Sequence, residues 1–142
     1  MQCHDGMHLL LRRGSARVGD LLCTTCALGG AGGGLWARQQ GVDSPFITRL
    51  LEPEPRLAEG RALAKSRAVT AMMDNSDGLA LSLSDLAEVS QVGFVVQEEA
   101  LPVATGLVEM VGQEKAREMV MSAGGYFELV FTIQPGDLRQ SA

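Results

Sequence analysis

Apolar residues fall into short runs broken by glycine, proline and charged turns, and their spacing alternates between strand and helix. Asp20–Thr25 (Asp-Leu-Leu-Cys-Thr-Thr) is predicted as a first strand, introduced by the turn signal Val18-Gly19-Asp20. The glycine-rich run Leu28–Leu35 should open a helix that continues to Gln40. Ser44–Pro55 carries prolines 45, 53 and 55 and is predicted as an extended connection. A short helix is expected over Arg56–Ala64, then a buried strand over Ala68–Met73. Leu79, Leu83, Leu86 and Ala87 recur with the spacing of an amphipathic face, which predicts a helix over Gly78–Ser90. A short strand at Gly93–Gln97, a helix at Val108–Met121 and a last strand at Phe127–Ile133 complete the pattern. Strands alternating with helices predict a layered α/β domain with a mixed sheet flanked by helices.

Composition narrows the class. The chain has 142 residues, so one domain is the natural prior. Its apolar content of 46% is carried by Leu, Val, Ala and Met rather than aromatics, which fits tight α/β turns better than a β-sandwich. A net charge of −5 argues against a nucleic-acid partner, although Arg12, Arg13 and Arg17 could meet a phosphate locally. No apolar run approaches a membrane span, and three cysteines are an odd number for a secreted disulfide framework. Both features predict a cytoplasmic protein without a membrane partner. Residues 1–9 lack a period, 10–135 carry the domain pattern and 136–142 form a polar tail, an abruptness that suggests part of a larger protein.

The chemistry concentrates in Asp74-Asn75-Ser76-Asp77-Gly78-Leu79. Asp74 should end the Ala68–Met73 strand, and Asp77 should occupy the N-cap of the following helix. Two carboxylates, the Ser76 hydroxyl and free helix-terminal N–H groups suit Mg²⁺ and the phosphate it carries. The same residues also read as an N-cap aspartate beside a turn aspartate, with no ligand at all. Both readings stand at the level of sequence.

Other motifs favour structural roles. Cys23-Thr24-Thr25-Cys26 has the spacing of a zinc or redox pair, with Cys3, His4 and His8 upstream, but a zinc ribbon wants a second close pair. Buried thiols are the simpler expectation. Gly29–Gly34 lacks the Gly-Lys-Ser/Thr ending of a phosphate loop and is predicted to serve close packing at a helix start. Glu98-Glu99 reads as a solvated turn, and Trp36 as an anchor of the first helix. Met119 and Met121, two residues apart, cannot share one helix face.

Ala71–Leu79 resembles the Asp-x-Ser-Asp-Gly-Leu signature of thiamine-monophosphate kinases. The likeness continues through Asp85-Leu86-Ala87, Val92-Gly93-Phe94 and Glu99-Ala100-Leu101-Pro102. Arg13–Leu21 is similar to the segment that opens that family's C-terminal domain, and Thr24–Gly29 to its Val-Thr-Gly-x-Leu-Gly strand and turn. Ser122–Thr132 resembles its Gly-Gly-Glu-Asp-Tyr-Glu-Leu-x-Phe-Thr motif. The resemblance implies the C-terminal domain shared with aminoimidazole-ribonucleotide and selenophosphate synthetases, partly ferredoxin-like. It also implies ATP- and Mg²⁺-dependent phosphorylation of thiamine phosphate to thiamine diphosphate. By position, Asp74 and Asp77 would be Mg²⁺ ligands, Ser76 a contact to ATP and Arg13 a contact to its phosphates. Gly125 stands where the family carries a substrate-contacting glutamate, Tyr126 replaces its aspartate and Phe127 its tyrosine, which puts the substrate pocket in question.

Family members also have an N-terminal domain that supplies most metal-binding aspartates and helps form a homodimer. Nothing here corresponds to it, and negligible kinase activity is expected of the chain alone. The competing reading is a non-catalytic module that keeps the fold and binds other phosphates or a partner.

Overall fold

The last strand in the sequence lies in the middle of the sheet. The computed structural model describes residues 10–136 apart from residue 126, so Cys3, His4, His8 and Tyr126 lie outside the described residues. In chain order the elements are β1 (Leu21–Thr24), α1 (Gly30–Gln40), α2 (Pro45–Leu51), α3 (Leu57–Ser66) and β2 (Val69–Asp74). Then come α4 (Leu79–Ser90), a 3-10 turn at Glu98–Ala100, α5 (Leu107–Val111), α6 (Gln113–Ser122) and β3 (Leu129–Ile133). β3 pairs antiparallel with β1 on one side and β2 on the other. A parallel component is confined to an isolated bridge between Leu28 and Val103. Helices flank this sheet, as the alternating pattern predicts.

A bulge in β2 decides which side chains reach which layer. The β2–β3 register shifts between Val69 and Ala71. Val69 therefore packs with Phe131 and Ile133, near Leu63 of α3, on one face. Ala71 and Met73 pack with Val130, Leu79, Leu83, Leu86 and Val120 on the other. Thr70, at the shift, bonds through its hydroxyl to the Thr132 hydroxyl and to Asp20, each at 2.6 Å. A second core joins Phe46, Ala104, Leu107, Ala116 and Met119, with Trp36 half-buried against it. Met119 and Met121 face different clusters, as their two-residue spacing requires. Among the described residues, no helix is long and apolar enough to cross a membrane.

Four expectations are corrected. Ser44–Pro55 is not extended throughout: Pro45–Leu51 is α2. Ser44 is its N-cap, accepting from the Phe46 N–H, and Pro45 opens the first turn, where a missing N–H costs nothing. Gly93–Gln97 forms no strand. Val108–Met121 is two helices, because Gly112 with φ 83° and ψ 162° breaks the run. The last strand starts at Leu129, not Phe127, since the ladder to β2 begins where Leu129 meets Asp74.

The glycines of α1 pack closely, as expected for Gly29–Gly34. A Cβ on Gly34 would lie 2.2 Å from the Phe46 carbonyl oxygen, and one on Gly33 2.7 Å from Leu107 Cδ1. These contacts let α1 lie directly on α2 and α5. In an exposed helix, glycine to alanine gains about 1 kcal/mol. At Gly34 the sign should reverse, because the obstacle is backbone. Gly34→Ala is expected to lose about 2–3 kcal/mol, read as a lower midpoint in urea denaturation.

Candidate functional site

β2 carries the chain to an exposed corner and stops at Asp74. The backbone continues the sheet pattern one step further, with the Asn75 N–H donating to the Glu128 carbonyl at 2.8 Å. The Asn75 side chain is fully buried, and its Oδ1 accepts from the Ser82 hydroxyl of α4 at 3.0 Å. That inward anchor turns Ser76 and Asp77 out over the corner. The Ser76 carbonyl then accepts from the Gly125 N–H at 2.8 Å. The turn is thus held at Asn75 by Glu128 and at Ser76 by Gly125, just before β3.

Asp77 does not cap α4. The N-cap is Gly78, with φ 96° and ψ 155°, a conformation essentially reserved for glycine. A Cβ there would also meet the Ser122 carbonyl carbon at 3.1 Å. Asp77 is left one residue further out, exposed on the turn. Its carboxylate is therefore not committed to capping the helix.

Charge gathers around Asp74. The Ser76 hydroxyl donates to Asp74 Oδ2 at 2.5 Å, and Arg13 Nη2 lies 3.8 Å from Oδ1. Arg13 Nη1 lies 3.7 Å from Asp85 on α4, so one guanidinium spans two carboxylates. The Ser76 hydrogen bond, helped by Arg13, holds the Asp74 carboxyl below the usual carboxylate range. Asp74, Ser76 and Arg13 are therefore brought together, Asp77 shares their turn, and Gly125 docks on it through its backbone. Asp85 lies outside the Asp74–Asp77 motif and joins it only through Arg13. Its place on the polar face of α4, one turn short of the helix end, was the available signal.

Beside this corner is a cavity of about 520 Å³. Its wall includes Gly30 and Ala31 of α1, Arg49 of α2, Arg56, Gly125 and Glu128. Glu128 meets Arg56 in a two-pronged pair, Nε to Oε2 and Nη2 to Oε1, each at 2.9 Å. The Thr25 hydroxyl donates to Glu128 Oε2 at 2.7 Å. Arg56 also reaches Glu54 and Glu59, at 3.2 and 3.1 Å. Its guanidinium is pushed above the ordinary arginine value, chiefly by the bond to Glu128. Residues 56 and 128 are far apart in sequence, and nothing local announced the pair.

The remaining motifs keep modest roles. Cys23 is half-buried, which pushes its thiol pKa up, but Cys26 is exposed at the cavity wall rather than buried as expected. It follows β1 on the exit turn, beyond the cover of the sheet. Among the described residues, no three His, Cys, Asp or Glu side chains cluster as a metal site. Glu98 and Glu99 lie in the exposed 3-10 turn, where Glu98 pairs with Arg117.

Residues 17–131 match the family described as AIR synthase related protein, C-terminal domain. The chain is 42% identical over 123 residues to a thiamine-monophosphate kinase of Methanospirillum hungatei, covering 87% of this chain and 40% of that protein. The thiamine-monophosphate kinase structure from Stenotrophomonas maltophilia K279a superposes with a TM-score of 0.86 and 32% identity, covering 92% of this chain and 44% of that one. A structure of AaThiL complexed with AMPPCP and TMP gives a TM-score of 0.79 and 27% identity, covering 89% and 43%. The chain thus spans less than half the length of these relatives.

The depressed Asp74 pKa carries a pH signature. A lowered folded-state value stabilises above the ordinary aspartate pKa of about 3.9, and that stabilisation is lost as pH falls through the lowered value. Ser76→Ala removes the largest cause. Its Asp74 carboxyl should titrate closer to the ordinary value by carbon NMR. Its stability should fall below wild type at neutral pH and converge with it in acid.

Proposed function

The chain belongs to the AIR synthase related protein family through its C-terminal domain, and on that premise we propose that it is the C-terminal part of a thiamine-monophosphate kinase. The reaction is transfer of the terminal phosphoryl group of ATP to thiamine phosphate, giving thiamine diphosphate. One observation carries this reading. The Asp74–Asp77 turn exposes both of its carboxylates, holds that of Asp74 beside Arg13, and sits next to a cavity of about 520 Å³ across Gly125.

The donor set fits Mg²⁺. Two carboxylates on one exposed turn offer hard oxygen, and this ion takes one or two protein carboxylates and completes its shell with water and phosphate. When bound, it would neutralise charge developing on the transferred phosphoryl group. Arg13, loosely paired and half exposed, can swing from Asp74 and Asp85 to phosphate oxygens. The Ser76 hydroxyl can turn from Asp74 to the nucleotide. Gly125 borders the cavity, where it can offer thiamine phosphate only backbone. The AaThiL complex with AMPPCP and TMP supports a nucleotide and a second ligand on this fold.

Two carboxylates do not complete such a site, and the described residues hold no third in the cluster. The rest would come from an N-terminal domain, as in a cytoplasmic homodimer of the longer protein. The chain alone is inactive on this reading. The alternative, a phosphate- or partner-binding module without catalysis, gains from Gly125, whose φ of 87° disfavours the glutamate a family pocket would use.

The test is thiamine diphosphate formation from thiamine phosphate and Mg-ATP, with a relative's N-terminal domain supplied by fusion. Product should form, and Asp74→Asn with Asp77→Asn should reduce it by about 100-fold or more, since metal charge stabilisation is worth several kcal/mol. A folded fusion that makes no product would favour the non-catalytic reading. Turnover by the unfused chain would overturn the need for a second domain.

A further inference from the structure

Glu128 occupies a junction that the reaction as proposed does not use. Its side chain is only 13% exposed, and Arg56 opposite it 16%. Both carboxylate oxygens take a guanidinium N–H, and Oε2 also takes the Thr25 hydroxyl. Thr25 is itself fixed on both sides. Its N–H donates to the Leu129 carbonyl at 3.0 Å, and its hydroxyl accepts from the Leu129 N–H at 3.0 Å. The side chain of Glu128 is therefore tied to the exit of β1 and to the start of α3.

Its backbone faces the other way. The Glu128 carbonyl accepts from the Asn75 N–H at 2.8 Å, and three residues earlier the Gly125 N–H donates to the Ser76 carbonyl at 2.8 Å. Gly124 closes against the same turn, since a Cβ there would lie 2.6 Å from the Ser76 oxygen. Two backbone hydrogen bonds and a close approach thus dock the Asp74–Asp77 turn on Glu128, Gly125 and Gly124.

We propose that Glu128 is a positioning residue: clamped by Arg56 and Thr25, it fixes its own backbone carbonyl against Asn75 and thereby sets where the Asp74–Asp77 turn presents its carboxylates. Glu128 and Arg56 touch neither carboxylate. Their effect passes through the Glu128 carbonyl, while the Gly125 N–H holds the same turn separately at Ser76. The metal arm of the test rests on the function proposed above, whereas the geometric arm does not.

The experiment uses the 142-residue chain itself, comparing wild type with Glu128→Gln, Arg56→Lys and, as a control, Glu59→Gln. Glu59 also bonds Arg56 but lies on α3, away from the docked segment. Backbone amide signals of Asn75, Ser76 and Gly125 are followed by NMR, and Mn²⁺ affinity by water-proton relaxation, with circular dichroism to confirm folding. Glu128→Gln should shift those amides, speed their hydrogen exchange and weaken Mn²⁺ by about 3- to 10-fold, below the range seen for direct outer-shell partners. Arg56→Lys, which keeps the charge but loses the planar fork, should do the same to a smaller degree. Glu59→Gln should do neither.

A lower melting temperature with the amides and Mn²⁺ affinity unchanged would mean a merely structural role and overturn the proposal. So would either readout moving without the other in a wild type that binds Mn²⁺. Wild type that binds no Mn²⁺ would count against the metal reading alone, and the amides would then decide the positioning. If Glu128→Gln fails to fold, Arg56→Lys carries the same comparison.

Discussion

The hydrogen bond from the Asn75 N–H to the Glu128 carbonyl is where sheet becomes site. The β2–β3 ladder formally ends where Asp74 meets Leu129. One further bond in the same direction carries the order of the sheet into the turn. β3 is the central strand, paired on both sides, and Glu128 lies on its approach, one residue before the ladder begins. A turn docked on that approach inherits its position from the core. Side chains of Asp74, Ser76 and Asp77 can then be exposed and polar without being loosely placed. A free loop of the same composition would have to order itself on ligand binding, at an entropy cost of about 1–2 kcal/mol per residue.

Much of this was legible in the chain. β1, α1, α3, β2 and α4 lie within a few residues of where apolar spacing puts them, because each buries one face against one layer and its pattern is local. What escaped was non-local or turned on a single residue. The prolines of Ser44–Pro55 read as an extended connection, yet Ser44 and Pro45 are an N-cap and first-turn proline, and only the packing of Phe46 decides between them. Gly112 inside an apolar run splits α5 from α6, a break that periodicity averages over. Gly93–Gln97 has strand composition but pairs with no strand among the described residues, and strand propensity without a ladder leaves the segment irregular. Asp74, Ser76 and Asp77 share one turn because they are neighbours in sequence. Arg13, Asp85, Arg56 and Glu128 join them only through topology.

The glycine run of α1 shows how a packing feature can shape a cavity. Gly29–Gly34 reads superficially as a phosphate loop, and the structure uses it to bring backbone against Leu107, Ala123 and Phe46. Close packing on three sides leaves the start of α1, at Gly30 and Ala31, as one wall of the cavity. A bulkier sequence would hold α1 off α2 and α5 and move that wall. The position of that wall is thus a consequence of helix packing, and Gly125 borders the same cavity with backbone alone.

The two arginines near this corner separate by the tightness of their pairing. Arg56 is largely buried, bonds Glu128 through two prongs at 2.9 Å and is further held by Glu54 and Glu59. Removing it from those partners would strand a nearly buried carboxylate, a cost that buried pairs impose and exposed pairs do not. Turning its charge to an incoming phosphate would break both of those bonds to Glu128. Arg13 stands at 3.8 and 3.7 Å from two carboxylates, all of them about half exposed. Such a pair contributes little to stability and is screened by water and salt. Exchanging those carboxylates for phosphate oxygens would cost correspondingly little. The same chemical group therefore stands in two states within one small domain: part-buried and held by hydrogen bonds to three carboxylates it is fixed, while half-exposed and loosely paired it is free to move.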